Sequence, residues 1–258
     1  MKRFVWIIVI VLLTACQPRP VTRPLSVSTA QQLDVLRQLA YRQNSLSALA
    51  EVKVTQQGKH WSTTQGLLVE RPLRLRVDAI NFFGQLLFQM AVSGPDLQAY
   101  VPSDNQYYSG MATLDKVQRF TGLPLSVADL VASLLYSLPP GVLESGEVVA
   151  QPRGLDFVVA PGVRYEVEFT GRLLHRVCYR IDDYMMYDIL YSKWGEDGFP
   201  RRIELSVDSS LTQVVIQFED VEINPQIKAE KFQLTIPERA ELMPLDEVES
   251  VDESSTNF

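Results

Sequence analysis

Leu73–Ile80 reads LRLRVDAI, and this stretch decides the fold class. Leu73, Leu75, Val77 and Ala79 alternate with Arg74, Arg76 and Asp78. A period of two sends apolar groups to one face of a strand and charges to the other. Working outward, Leu46–Thr55 repeats the pattern, with Leu46, Ala48, Ala50, Val52 and Val54 on one face. Further strand candidates are His60–Glu70, Gln85–Ser93, Leu97–Val101 and Gln106–Ser109. Later come Val142–Ala150, Leu155–Ala160, Tyr165–Thr170, Leu173–Ile181, Met185–Trp194, Pro200–Val207 and Thr212–Val221. Gln57-Gly58, Arg71-Pro72, Phe83-Gly84 and Gly94-Pro95 punctuate them as turns.

Three segments break the strand period. Thr29–Asn44 carries Leu33, Leu36, Leu39 and Ala40 as one stripe, with Thr29 and Gln32 at capping-box spacing. Thr113–Phe120 reads as a short helix closed by Gly122 and Pro124. Ser126–Ser137 reads as another, with Ser126 as N-cap, Asp129 three residues on, and Pro139-Pro140-Gly141 as its stop. The chain is therefore mainly β with a few α-helices. So many short strands with hairpin-length links predict an antiparallel sheet curled into a half-open barrel, covered by the helices.

The N-terminus carries a different signal. Lys2 and Arg3 precede ten apolar residues, Phe4 to Leu13. Such a run is too short to span a bilayer, which takes about 20 residues, and it reads as the core of an export signal. Leu13-Thr14-Ala15-Cys16 then resembles the lipobox of bacterial lipoprotein precursors. That resemblance implies cleavage after residue 15 and acylation of Cys16, so that lipid holds the chain to a membrane. Gln17, being other than Asp, implies sorting to the outer membrane, with the folded domain facing the periplasm. Residues 16–28 are proline-rich and read as a flexible tether.

About 230 residues follow the tether, enough for one large domain or two small ones. Loss of the leader takes 24 basic residues to 22, against 31 acidic ones. This acidity leaves no basic stripe for nucleic acid and no attraction to anionic headgroups, so membrane contact is expected to be apolar. Residues 238–258 hold seven acids against Arg239 and read as a disordered tail. With Cys16 committed to lipid, Cys178 stands alone and reads as a small apolar packing residue.

Residues 31–237 resemble the LolA and LolB lipoprotein-localisation family, and LolB-like lipoproteins in particular. The resemblance runs through Ser45-Leu46-Ser47-Ala48, Val69-Glu70-Arg71-Pro72-Leu73-Arg74-Leu75-Arg76, Phe82-Phe83-Gly84-Gln85 and Tyr107-Tyr108-Ser109-Gly110. It continues in Leu123-Pro124-Leu125-Ser126 and in Phe218–Asn224 followed by Phe232–Pro237, which is similar to the family's closing strand, Asn turn and last strand. It implies one domain over 29–237, a half-open barrel with a helical lid, and an apolar interior that receives acyl chains of lipoproteins or other lipids. It also implies a periplasmic carrier protein as partner. Phe83 matches by position the exposed hydrophobic loop residue that such proteins use at the membrane, with Phe82 beside it; the competing expectation is that these rings fold into the core. Leu130, Leu134 and Leu135 are candidate lid or cavity-lining residues, or ordinary packing. The alternative function is an envelope protein-interaction or stress-sensor lipoprotein with the same fold.

Catalytic groupings are scarce. His60 and His175 are the only histidines, and with one free thiol they give no metal-ligand spacing. No phosphate loop or GxSxG elbow occurs. Asp182-Asp183 and Glu196-Asp197 fall at turns. The expectation is a protein without catalytic residues, metal or cofactor. Tyr100, Tyr107, Tyr108, Tyr165, Tyr179, Tyr184, Tyr187 and Tyr191 either line a cavity mouth or pair across strands.

Overall fold

In a computed structural model, residues 28–207, 209 and 211–245 are described. The leader, Cys16, most of the tether and the chain from residue 246 lie outside them. Helix α1 (Thr29–Arg42) leads into β1 (Ser45–Gln56), β2 (Lys59–Glu70), β3 (Arg74–Ile80), β4 (Leu86–Ser93), β5 (Asp96–Val101) and β6 (Gln106–Met111). Then come α2 (Leu114–Thr121), α3 (Val127–Leu134) and one helical turn, α4 (Val142–Ser145). The second run is β7 (Glu147–Gln151), β8 (Gly154–Ala160), β9 (Val163–Thr170), β10 (Leu173–Ile181), β11 (Tyr184–Trp194), β12 (Pro200–Val207) and β13 (Thr212–Ile223). A 3-10 turn at Ala229–Phe232 and β14 (Glu241–Pro244) close the described chain.

All strands join one sheet, ordered β14-β6-β5-β4-β3-β2-β1-β13-β12-β11-β10-β9-β8-β7. Two meanders thus meet where β1 pairs antiparallel with β13, from Leu46 opposite Ile223 to Gln56 opposite Thr212. The sheet does not close: β14 and β7 form its two edges. This makes a half-open antiparallel barrel. The link from β6 to β7 runs from one side of the sheet to the other, and carries α2 and α3 across the concave face. Alternation along the strands sends Leu46, Ala48, Ala50 and Val52 of β1, and Tyr187, Ile189 and Tyr191 of β11, into one core beneath those helices.

Several boundaries differ from the sequence reading. The cap of α1 is Ser28, not Thr29: Ser28 Oγ accepts from Gln31 N at 3.3 Å, and Gln31 Oε1 accepts from Ser28 N at 3.0 Å. The box is shifted by one residue, and the helix ends at Arg42 rather than Asn44. Val142–Ala150 is not one strand. Gly141, at φ 86, opens the α4 turn, and β7 starts only after Gly146. A Cβ at Gly146 would sit 3.0 Å from Val142 O.

The end of the domain departs furthest. Phe232–Pro237 forms no strand, because β13 already has β1 and β12 on its two sides. The chain instead crosses the outer face of β3 and β4. Arg76 Nη1 donates to Lys231 O at 3.0 Å, Arg74 lies over the Phe232 ring, and Gln98 Oε1 accepts from Leu234 N at 2.8 Å. The expected disordered tail also begins too early. Glu241–Pro244 pairs parallel with β6, and Leu245 is only 2% exposed in the main core. Net acidity masked the local apolar triplet Leu242, Met243 and Leu245.

Leu245→Ala should lower the unfolding free energy by about 2–4 kcal/mol, the usual cost of emptying a buried leucine site. Urea denaturation checks this, and an unchanged midpoint would mean that Leu245 is not packed.

Candidate functional site: a lidded apolar cavity and an aromatic loop

The concave face holds a cavity of about 230 Å³ between β1–β4, β12 and β13 on the sheet side and α2 and α3 above. Its sheet wall is apolar, built from residues such as Leu67, Val77, Ile203 and Ile216. Leu130 and Leu134 of α3 form part of its roof. Leu135 does not reach it: that residue caps α3 and is buried in the core. Val54, Gln65, Phe88 and Trp61 extend the wall toward the tip of the β1–β2 hairpin.

The lid is held differently on its two sides. On the β9–β11 side the bonds are polar. Asp129 completes the α3 capping box with Ser126, as the sequence predicted. Its other carboxylate oxygen, Oδ1, accepts from Tyr187 Oη at 2.8 Å and from Tyr165 Oη at 3.2 Å. The Tyr179 ring lies between those two, 4.7 Å from Tyr165 and 5.3 Å from Tyr187. Tyr191 donates to Ser133 O at 3.3 Å. Just beyond α3, Tyr136 donates to Leu174 O at 2.8 Å and receives Trp194 Nε1 at 3.1 Å. On the β4–β6 side, rings make the contact. Phe120 of α2 stacks on Phe88 at 6.0 Å and meets Tyr108 edge-on at 5.3 Å, with the Arg119 guanidinium over Tyr108. One side is fixed by directional bonds; the other is closed by ring contacts.

Burial keeps these tyrosines protonated. It pushes Tyr136 up to about 12 and raises Tyr165, Tyr187 and Tyr191 as well, with the Asp129 charge adding to Tyr165 and Tyr187. Asp129 was read only as a cap. Its tyrosine partners lie 36 and 58 residues away in sequence, and no local pattern reports that distance.

The second feature is the β3–β4 loop. Phe82 is 97% exposed and Phe83 is 82% exposed, so neither ring folds into the core. The loop backbone that carries them is pinned from below. Asn81 Oδ1 accepts from Phe83 N at 2.9 Å and Gln85 N at 3.0 Å, while Asn81 N donates to Gln85 O at 3.0 Å. Gly84 supplies the φ of 77 that the turn requires. The two rings meet edge-on, 5.7 Å apart.

The candidate reactive side chains stand apart among the described residues. Cys178 is buried, and burial raises its thiol to about 11, so it stays protonated at neutral pH. His175 Nδ1 lies 3.2 Å from Tyr191 O. Asp197 is held low by its hydrogen bond to Arg201 at a turn. Among the described residues, no group of three or more His, Cys, Asp and Glu is placed to hold a metal ion, and no helix is long and apolar enough to cross a membrane.

No protein-family model matches the chain, and no curated protein matches it. Solved structures do. A LolA superfamily protein from Nitrosomonas europaea aligns at 12% identity and TM-score 0.54, over 81% of this chain and 99% of that one. A DUF1329 family protein from Desulfovibrio piger aligns at 12% identity and TM-score 0.52, over 81% and 98%. A domain from Vibrio parahaemolyticus, described as outer membrane lipoprotein-sorting, aligns at 10% identity and TM-score 0.50, over 80% and 97%. At such identities the likeness shows the fold. The fold is therefore a half-open antiparallel barrel like those of these solved structures, here with a lidded apolar cavity and an exposed aromatic loop.

Two predictions concern the lid. Asp129→Ala removes the cap and strands two buried hydroxyls, so it should cost about 3 kcal/mol or more, whereas Asp129→Asn keeps an acceptor and should cost less. Equal losses in guanidinium melts would contradict the tyrosine bonds. The raised tyrosine values also fix a sign. The stabilising effect of Tyr136 is complete below pH 10 and is lost as pH rises toward about 12, since the unfolded chain releases that proton first. Tyr136→Phe should flatten that alkaline fall in stability, and an unchanged slope would contradict it.

Proposed function

We propose that the protein is a lipid-anchored lipoprotein of the bacterial envelope that binds acyl chains in its half-barrel and acts as carrier or acceptor in lipoprotein localisation to the outer membrane. The observation that carries this reading is the pairing of an apolar cavity under a one-sided lid with a rigid, exposed Phe82–Phe83 loop. The lipobox ending at Cys16 supports the anchor, and the described name of the Vibrio domain supports the sorting role.

The mechanism is physical transfer. At about 230 Å³ the cavity is smaller than most ligand sites, which run from roughly 300 to 1,000 Å³. An acyl chain therefore enters by parting the Phe120–Phe88 contact while the Asp129 bonds hold the rest of the lid. Burial drives uptake, at about 0.8 kcal/mol per methylene removed from water. The Phe82–Phe83 loop then touches the bilayer and shortens the path from cavity to membrane. A chain of bound lipid needs no catalytic residue, metal or cofactor, and the partner that delivers it is a periplasmic carrier.

Phe83→Glu separates the two steps. Its melting temperature and its uptake of an acylated protein should match the parent. Delivery of that cargo to vesicles should fall roughly tenfold or more, since a large apolar side chain contributes about 1.5–3 kcal/mol on leaving water. Failure of the parent to take up cargo would contradict the carrier role. Unchanged delivery by the variant would contradict the role of the loop.

A further inference from the structure

The two ends of the sheet are chemically unlike. At one end lie the tips of six hairpins, in the spatial order β5–β6, β3–β4, β1–β2, β12–β13, β10–β11 and β8–β9. Each of the four central hairpins presents a large apolar side chain at or near its tip. Phe82 and Phe83 stand on the first of these, and beside them come Trp61, in the third position of β2, at 45% exposure, Leu211 at 70% and Tyr184 at 78%. The flanking tips carry none: they read Pro102-Ser103-Asp104-Asn105 and Pro161-Gly162. At the opposite end the turns hold Gly94-Pro95, Pro152-Arg153, Gly171-Arg172 and Gly195-Glu196-Asp197-Gly198, and their exposed side chains are small or charged. Tyr41, Met111 and Leu114 are also exposed at that opposite end, but they stand off its hairpin turns and form no comparable row.

The central tips sit at intervals of two strands. At about 4.8 Å per strand the row extends for roughly 30 Å along the rim. Separate protruding side chains of this kind make a poor packed interface with a protein, which needs a continuous complementary patch. They suit a lipid surface, where Trp and Tyr rings settle at headgroup depth one by one. The charges agree: residues 81–87 have none, and Lys59 on one tip is outweighed by Asp182 and Asp183 on another. Trp61 also belongs to the cavity wall, so the cavity extends toward the same rim.

We propose that this whole four-hairpin rim, and not the Phe82–Phe83 loop alone, is the bilayer-docking surface, seating the cavity end of the barrel on a lipid membrane through apolar insertion. This deepens the membrane role given to that loop and rests on it. Docking needs no anionic lipid, because the rim has no net positive charge to attract one. It also fixes orientation: four points of contact hold the barrel upright, where a single loop would let it pivot.

The test places an environment-sensitive fluorophore on single cysteines in the full-length chain carrying Cys16→Ser, Cys178 being buried. The labelled variants are Phe83→Cys, Leu211→Cys, Tyr184→Cys and, as control, Tyr41→Cys. Tyr41 lies near the end of α1, which Asn224 ties to the opposite end of the sheet through Arg42 O at 2.7 Å. With phosphatidylcholine vesicles, emission at 83, 211 and 184 should rise and shift to shorter wavelength, while 41 stays unchanged. Added phosphatidylglycerol should not strengthen the response. A response at 83 alone would overturn the rim and leave the loop's role standing. Silence at all sites would overturn both, and a response at 41 equal to the others would overturn the orientation.

Discussion

A sheet that never closes leaves its concave face to be covered by something else, and the rest of the structure follows from that constraint. The fourteen strands among the described residues curl without meeting, so the apolar side chains of β1–β5 and β8–β13 need a second layer. Among the described residues, the crossover from β6 to β7 brings α2 and α3 over the hollow, while α1 packs Leu36 into the same core on the β8–β10 side. Hydrogen bonds on the β9–β11 side fix that crossover, and one carboxylate accepts two of them. Asp129 caps its own helix and takes hydrogen bonds from two tyrosines of the sheet at once. Its bonds lie in a region largely closed to water, where a directional contact counts for more and a missing one costs more.

This uneven fixing separates a lid from a core. Were both sides of α2–α3 bonded like the β9–β11 side, the cavity would be a packing flaw. Were neither bonded, the helices would drift and the cavity would have no shape. The structure has one side tied by hydroxyl and carbonyl groups and the other closed by stacked rings, whose contacts carry little directional cost when they part. The cavity lies beneath the second side and reaches toward Trp61. The apolar hollow and the exposed rings of the hairpin tips thus occupy the same end of one rigid sheet.

Much of this was legible in the sequence. Period-two alternation located nearly every strand, because a sheet with one covered face leaves that imprint on each residue. Ser126 and Asp129 announced the start of α3 correctly, and Asn81–Gln85 announced the aromatic loop. Other parts were not. The Ser28 cap was misplaced by one residue because Thr29 and Gln32 have the same spacing as Ser28 and Gln31. The strap from Ala229 to Leu245 was hidden, since its partners are Arg74, Arg76, Gln98 and β6, all more than 130 residues away. The lid ties escaped for the same reason: a tyrosine in a strand looks the same whether it faces solvent, a cavity or a buried carboxylate. The row of exposed tips likewise arises only when strand order places hairpins from distant parts of the chain side by side.

The claim on which the rest stands is that the hollow beneath α2 and α3 accepts an acyl chain. Native mass spectrometry of the gently purified protein, challenged with an acylated lipoprotein, tests it most directly. The account predicts a stable one-to-one complex that an unacylated form of the same cargo does not make. A bare protein mass with no uptake would contradict it, and would mean that the half-barrel is filled by its own side chains.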